Sequence, residues 1–232
     1  MKRKFETYFP WLFTFADFLI SLFSLFLTKI ALNAFGLTES VDFYGFLPLA
    51  GVWILISVLR KDYRIERTDE YDHTWKKFGV TLIWFLAVTS ILWVPLQDDA
   101  YRWFQISLLG LTYFLVLGPF RIGIHMLLKQ YRAKGNNYRN AVIVGKGGTS
   151  PKLADVFRIR KDFGINFLGY FDDRADCNQT RGGVRDFFEE APKLDLDLIY
   201  IHEELDAATV KKVIGFADER YIKVKMIPGG SL

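Results

Sequence analysis

Two patterns of hydrophobic and polar positions divide this chain. In the first part, long apolar runs alternate with short polar stretches. Trp11 to Phe35 is apolar except for Asp17, Lys29 and a few small polar residues. Phe43 to Leu59, Phe78 to Val94 and Phe104 to Leu128 follow, the second run being on the short side. These runs carry large aliphatic and aromatic residues with no helical polar face, which argues against a soluble amphipathic bundle. The first run has about the length, roughly 20 residues, that a helix needs to cross a bilayer. The expectation is four transmembrane helices over residues 1–137.

From Tyr138 the pattern shortens. Ala141 to Val144 is a β-branched run suited to a buried parallel strand. A helix is expected over Leu153–Lys161, with Leu153, Val156, Phe157 and also Ile159 as inward candidates, and a second strand over Asn166–Phe171. A polar loop is expected over Asp176–Arg181. A short helix from Arg185 to Ala191 is stopped by Pro192, and Asp197–His202 reads as a third buried strand. Asp206 is placed to cap a helix running to Arg220, and Tyr221–Ile227 reads as a last strand before Pro228. Strands alternating with helices predict a parallel sheet covered on both faces. The fold class is therefore an α-helical membrane domain followed by an α/β Rossmann-like domain over 138–232, joined by a polar connector containing Gly135-Asn-Asn.

Charge changes the picture through its position. The net charge of +4 and pI near 9.0 would suit nucleic acid if averaged, but the basic residues stand beside apolar runs, which points to a membrane surface instead. Arg60, Lys61, Arg64, Arg67, Lys76 and Lys77 separate the second and third runs. Arg121, Lys129, Arg132, Lys134 and Arg139 end or follow the fourth. The other two loops hold Glu39, Asp42, Asp98 and Asp99 against Arg102. By the positive-inside rule both chain ends and the 60–77 loop are cytoplasmic. A signal peptide is the competing reading of the N-terminus, but its apolar core would be shorter and no clean cleavage site follows. The single cysteine, Cys177, excludes an intramolecular disulfide and a cysteine zinc cage, and fits a reducing compartment.

Within the apolar half, Asp17 has two readings: a functional intramembrane carboxylate, or a headgroup-level residue paired with a nearby Lys or Arg. Lys29 lies roughly 18 Å further along a helix axis and cannot be that partner; it is expected to snorkel outward. Trp11, Trp84, Trp93 and Trp103 read as interfacial anchors. Pro48, Pro95 and Pro119 are expected to kink or end helices. His73 and His125 lack ligand partners at metal spacing. The mixed-charge stretch from Leu59 to Tyr71 reads either as an amphipathic segment on the inner leaflet or as a solvated loop.

The soluble half carries the candidate chemistry. The strand at 141–144 runs into Gly145, Gly147 and Gly148, then Ser150 and Pro151, residues that suit a helix start. Strand, glycine turn and helix N-terminus form the first half of a dinucleotide-binding unit, where backbone N–H groups can face a phosphate. The fingerprint would need glycine at position 150, and Gly148 is out of register. The alternative is that the glycines serve tight geometry and packing alone. Asp172 and Asp173 close the second strand, where a ribose-binding acid belongs, or else form a turn and helix start. His202, Glu203 and Glu204 end the third strand on the same edge, as a metal-binding cluster or as a solvated loop.

The order of elements carries a resemblance. Four apolar runs, Tyr138-Arg-Asn-Ala-Val-Ile-Val-Gly, Leu168-Gly-Tyr-Phe-Asp-Asp, Asp197-Leu-Ile-Tyr-Ile and Lys223-Val-Lys-Met-Ile-Pro228 resemble the N-terminal half of a bacterial polyprenyl-phosphate hexose-1-phosphate transferase. Those enzymes begin exopolysaccharide and O-antigen repeats on undecaprenyl phosphate. The same span also resembles membrane-bound nucleotide-sugar epimerase/dehydratases. The transferase resemblance implies a multi-pass protein of the bacterial inner membrane with a CoA-binding-like Rossmann unit that is regulatory or dimerising. It implies as partners the bilayer, polyprenyl phosphate, a second copy of the chain and a sugar transferase catalytic domain or subunit, and no nucleic acid. The residues themselves, not the resemblance, give a nucleotide or nucleotide-sugar as the expected ligand, at Gly145, Gly147, Gly148, Asp172 and Asp173, and magnesium would belong to the catalytic domain. Neither family's catalytic segment has a counterpart in this chain, so no catalytic residue carries over. The expected role is the non-catalytic portion of such a transferase, truncated or a separate subunit. The alternative from another class is a membrane sensor that binds a nucleotide.

Overall fold

A computed structural model describes residues 2–36, 43–93, 101–145, 147, 149–173 and 180–229, without the side chains of 2–7, 43–46, 93 and 102. The expectations for Glu39, Asp42, Pro95, Asp98, Asp99, Gly148, Asp176 and Cys177, and for the Trp93 and Arg102 side chains, lie outside the described residues. The chain divides into two compact units, Met1–Leu128 and Lys129–Leu232.

The first unit holds α1 (Lys2–Ala34), α2 (Phe43–Leu59), α3 (Tyr71–Trp93) and α4, Arg102–Ala133, whose last turns enter the second unit. Helix bounds exceed the apolar runs for α1, α3 and α4, because a helix continues into its polar flanks where only composition changes. Among the described residues, three stretches are long and apolar enough to cross a membrane: Tyr8–Ala34, Tyr71–Leu92 and Trp103–Ala133. α2 is apolar but shorter, about 26 Å over its 17 residues. Pro48 and Pro119 lie inside α2 and α4 and end neither. Hydroxyls within these helices are satisfied locally: Thr14, Ser24 and Ser90 each donate to the carbonyl four residues back.

This unit is dressed in apolar side chains outside as well as inside. Phe23, Phe26, Ile30, Ile83, Trp84 and Ile91 are exposed, as lipid-facing residues would be, and so are Trp11 and Trp103. Inside, Trp53, Phe78, Phe85 and Tyr113 form an aromatic core, with Phe85 stacked on Tyr113 at 4.7 Å. Hydroxyl pairs join helices: Ser21 with Tyr113 at 2.8 Å, Thr28 with Thr112 at 2.6 Å. Residues 60–70 form turns rather than an amphipathic helix. Asp62 and Tyr63 are buried there, so this stretch is not simply solvated either.

The second unit is an all-parallel five-stranded sheet of order β3-β2-β1-β4-β5: β1 (Arg139–Val144), β2 (Ile165–Phe171), β3 (Thr180–Gly182), β4 (Leu198–His202) and β5 (Lys223–Ile227). Residues of β1 alternate between two cores. Val142 and Val144 join one with Phe171, Phe187, Ile201 and Val213, on the face carrying α6 (Val184–Glu190) and α7 (Ala207–Glu219). Ala141 and Ile143 join the other with Phe157 and Tyr200, against α5 (Ser150–Ile159). The period of two is what a sheet buried on both faces requires. β3 falls where a loop was expected through Arg181. It is a three-residue edge strand with no apolar alternation, so it gains its state from pairing with β2.

Candidate functional site

The strand order places a topological switch point between β1 and β4, since the chain passes from β1 outward to β2 and β3 and returns on the other side. Open parallel sheets bind ligands at the carboxyl ends of strands around such a point. The glycine turn after β1 and His202 at the end of β4 meet there.

Gly145 has φ +79°, a conformation that favours glycine, and a Cβ on it would stand 2.7 Å from Leu205 Cγ. Its N–H donates to the Phe171 carbonyl at 2.9 Å, tying the turn to the end of β2. A Cβ on Gly147 would collide with the His202 imidazole. The close approach that a dinucleotide fold reserves for a pyrophosphate is here taken by a side chain of the protein. His202 is fully buried. Its Nδ1 accepts the Glu204 N–H at 3.3 Å, and its Nε2 lies 3.2 Å from Thr149 Oγ1, which donates to the Pro228 carbonyl at 3.0 Å. A neutral imidazole with its proton on Nε2 satisfies this chain from β4 through the glycine turn to the end of β5.

Ser150, standing where the fingerprint would have a third glycine, is fully buried and begins α5. Its Oγ accepts the Gly147 N–H at 3.3 Å, and its carbonyl accepts from the Tyr170 hydroxyl at 3.3 Å. The two acids after β2 separate. Asp172 is buried at the sheet edge, its N–H donating to the Gly182 carbonyl at 3.0 Å. Asp173 Oδ1 accepts the Val184 N–H at 2.9 Å and so holds the start of α6. Glu203 Oε2 accepts the Gly229 N–H at 3.0 Å, bracing the turn after β5. Among the described residues no three of His, Cys, Asp and Glu converge to hold a metal. The structure thus brings Gly145, Gly147, Ser150 and His202 together and assigns Asp173 and Glu203 to backbone bracing.

No protein-family model matches this chain, and no curated protein matches it.

A second polar centre lies inside the helical unit. Arg121 on α4, which the sequence pattern groups with the basic flank of the last apolar run, is buried. Its Nε and Nη2 donate to the two oxygens of Asp17 at 3.1 and 2.7 Å, and Nη1 donates to Asp62 Oδ2 at 3.0 Å. Nη2 also donates to Ser57 Oγ at 2.7 Å. Asp17 Oδ2 accepts two further bonds, from Trp53 Nε1 at 2.9 Å and the Tyr63 hydroxyl at 2.8 Å. The guanidinium lies 4.7 Å from the Trp53 ring centroid. Asp17 is therefore a buried, paired carboxylate, with Arg121 as partner. One sequence signal was present: Asp17 and Arg121 each interrupt or end a long apolar run, and a charge there is costly unless matched. Asp62 and Ser57 gave no comparable signal, because polar residues in or near loops are ordinary. His125, also buried, pairs through Nδ1 with Thr74 Oγ1 at 2.6 Å.

Proposed function

We propose that this chain is the membrane-anchoring and regulatory or dimerising portion of a sugar-1-phosphate transferase that begins exopolysaccharide or O-antigen synthesis on undecaprenyl phosphate. The observation that carries this reading is a doubly wound parallel sheet, following apolar helices in one chain, whose glycine turn is packed against its own His202. Such a turn serves architecture. A close-fitting imidazole under Gly147 favours a scaffold role over a pyrophosphate cradle, and the same packing weighs against a nucleotide sensor. Catalysis of phosphoryl transfer to a lipid phosphate would need cations or metal-bound carboxylates at the membrane surface, and this reading assigns them to a catalytic domain or subunit acting with this chain. In the test, the purified chain receives undecaprenyl phosphate, Mg²⁺ and a panel of UDP-sugars. It is expected to release no UMP alone, and to co-purify with a sugar transferase catalytic domain supplied in trans and raise that domain's UMP release. UMP release by the chain alone, or no association and no stimulation in trans, would reject the proposal.

The reading includes a topology: four spans in the bacterial inner membrane, α2 being the short one, with both termini cytoplasmic. Its support is the excess of Lys and Arg at 60–77 and 129–139 over the acidic loops. With Cys177 replaced, cysteines introduced at Glu39 and Asp98 should react with an impermeant thiol reagent outside intact cells, whereas one at Asp69 should not. Labelling at 69 alone would invert the topology.

A further inference from the structure

The amino edge of the sheet, opposite the glycine turn, carries a cleft of about 550 Å³ lined only by residues of the second unit. Its size lies within the roughly 300–1,000 Å³ usual for small-molecule sites. The wall comprises the last turn of α4, the connector after it, the C-terminal half of α5 and the first residues of β2. Among the described residues, three cations line it, Arg132, Arg158 and Lys161, and no carboxylate does. Asp162, next to Lys161 in the chain, takes two hydrogen bonds from Arg160, at 3.0 and 3.1 Å, and lies 3.6 Å from Lys129 Nζ. Asp155 reaches only Arg158, at 3.5 Å between two exposed side chains, a weak pair.

The rest of the wall is aromatic. Tyr138, Phe157 and Phe167 line the cleft, with Tyr138 and Phe167 half-buried and so open to a ligand. Phe167 is braced edge-on by Tyr170 at 5.0 Å, and Phe157 by Tyr200 at 5.3 Å, so these rings are held by the sheet beneath them. Guanidinium and ammonium groups recognise phosphate oxygens through charge-assisted hydrogen bonds, and flat aromatic faces take a base or a hydrocarbon chain. We propose that this cleft binds an organophosphate, with the phosphate on Arg132, Arg158 and Lys161 and the organic part on Tyr138 and Phe167. The site is independent of the glycine turn and of the function proposed above. The phosphate can come from a soluble nucleotide or from a lipid headgroup, since both share the anion and an apolar or planar body.

The test uses the full chain in phosphatidylcholine nanodiscs. One arm titrates ADP, UDP and inorganic pyrophosphate by calorimetry, and the other measures retention of phosphatidic acid by native mass spectrometry. Wild type is expected to bind at least one of these probes. The variant R158Q/K161Q, altered only at exposed residues, is expected to bind it at least about tenfold more weakly, the loss of one to two charge-assisted bonds. Nucleotide binding without lipid retention assigns a soluble ligand, and the reverse assigns a lipid. If a nucleotide binds, photoreactive azido-ADP should label the peptide spanning Phe157–Phe167. No binding in either arm, equal binding by R158Q/K161Q, or labelling confined to 145–150 or 202–205 would overturn the proposal.

Discussion

At the scale of single residues, the glycine turn shows how one position can satisfy a sequence pattern for a different reason. Gly145 and Gly147 stand where a dinucleotide turn has them, but what crowds Gly147 is the ring of His202. Gly147→Ala should therefore destabilise the second unit by overpacking, by about 1–3 kcal/mol. In a His202→Ala background the same change should cost distinctly less, because the ring that the new methyl meets is gone. Denaturant unfolding of the four proteins checks this; an unchanged cost in both backgrounds would mean that the His202 contact is not what requires the glycine. Little of this centre was legible beforehand. The glycines announced a turn, but periodicity cannot say which side chain from a strand more than fifty residues away will fill the space above it.

At the scale of elements, the strand and helix bounds translated almost directly, but Val156 and Ile159 of α5, expected inward, are exposed, and Ala154 and Phe157 are the buried pair instead. α7 begins where Asp206 was expected to cap it: Asp206 Oδ1 accepts the Thr209 N–H at 2.9 Å. The Asp206 carboxyl is held below its ordinary value, chiefly by hydrogen bonds from the Thr209 side chain and backbone. The hydrogen bonds from Arg160 likewise hold the Asp162 carboxyl low. A carboxylate with a lower pKa folded than unfolded contributes stability above its unfolded value, about 3.9, and loses it as pH falls through the folded value. The stability difference between wild type and Asp206→Ala should thus be constant near neutral pH and shrink below about pH 4. Thermal melts across that range test it, and a difference that grew on acidification would reject the assignment. The elements that escaped the pattern are β3 and the turns at 60–70. A three-residue edge strand has too few positions to show alternation, and a mixed-charge stretch reads alike whether its acids face water or, like Asp62, an arginine.

At the scale of the whole molecule, the two units solve opposite burial problems. The second hides apolar side chains between sheet and helices. The first carries them outside as well as inside and buries a small charged centre, where Arg121 on α4 joins Asp17 on α1, Ser57 on α2 and Asp62 in the following turn. Removing one member of such a buried network leaves its partners charged and unmatched. Arg121→Met is expected to cost about 3–5 kcal/mol, far more than the loss of packing alone. In an Asp17→Asn/Asp62→Asn background, the same substitution should cost much less. Unfolding of nanodisc-embedded protein measures both. Equal costs would show that Arg121 acts through its stacking on Trp53 rather than through its charge.

The sequence by itself determined the division of the chain, the helical character of the apolar half and the parallel α/β character of the rest. These follow from the local spacing of apolar residues and from turn and capping chemistry, which act over a few positions. Only the tertiary structure decided that Asp17 finds Arg121 and Asp62, that His202 closes over Gly147, and that Arg132, Arg158 and Lys161 share a cleft with Tyr138 and Phe167. Those pairings span long loops and separate elements. Charge matching and close packing select them after the chain has folded, and neither leaves a period along the sequence.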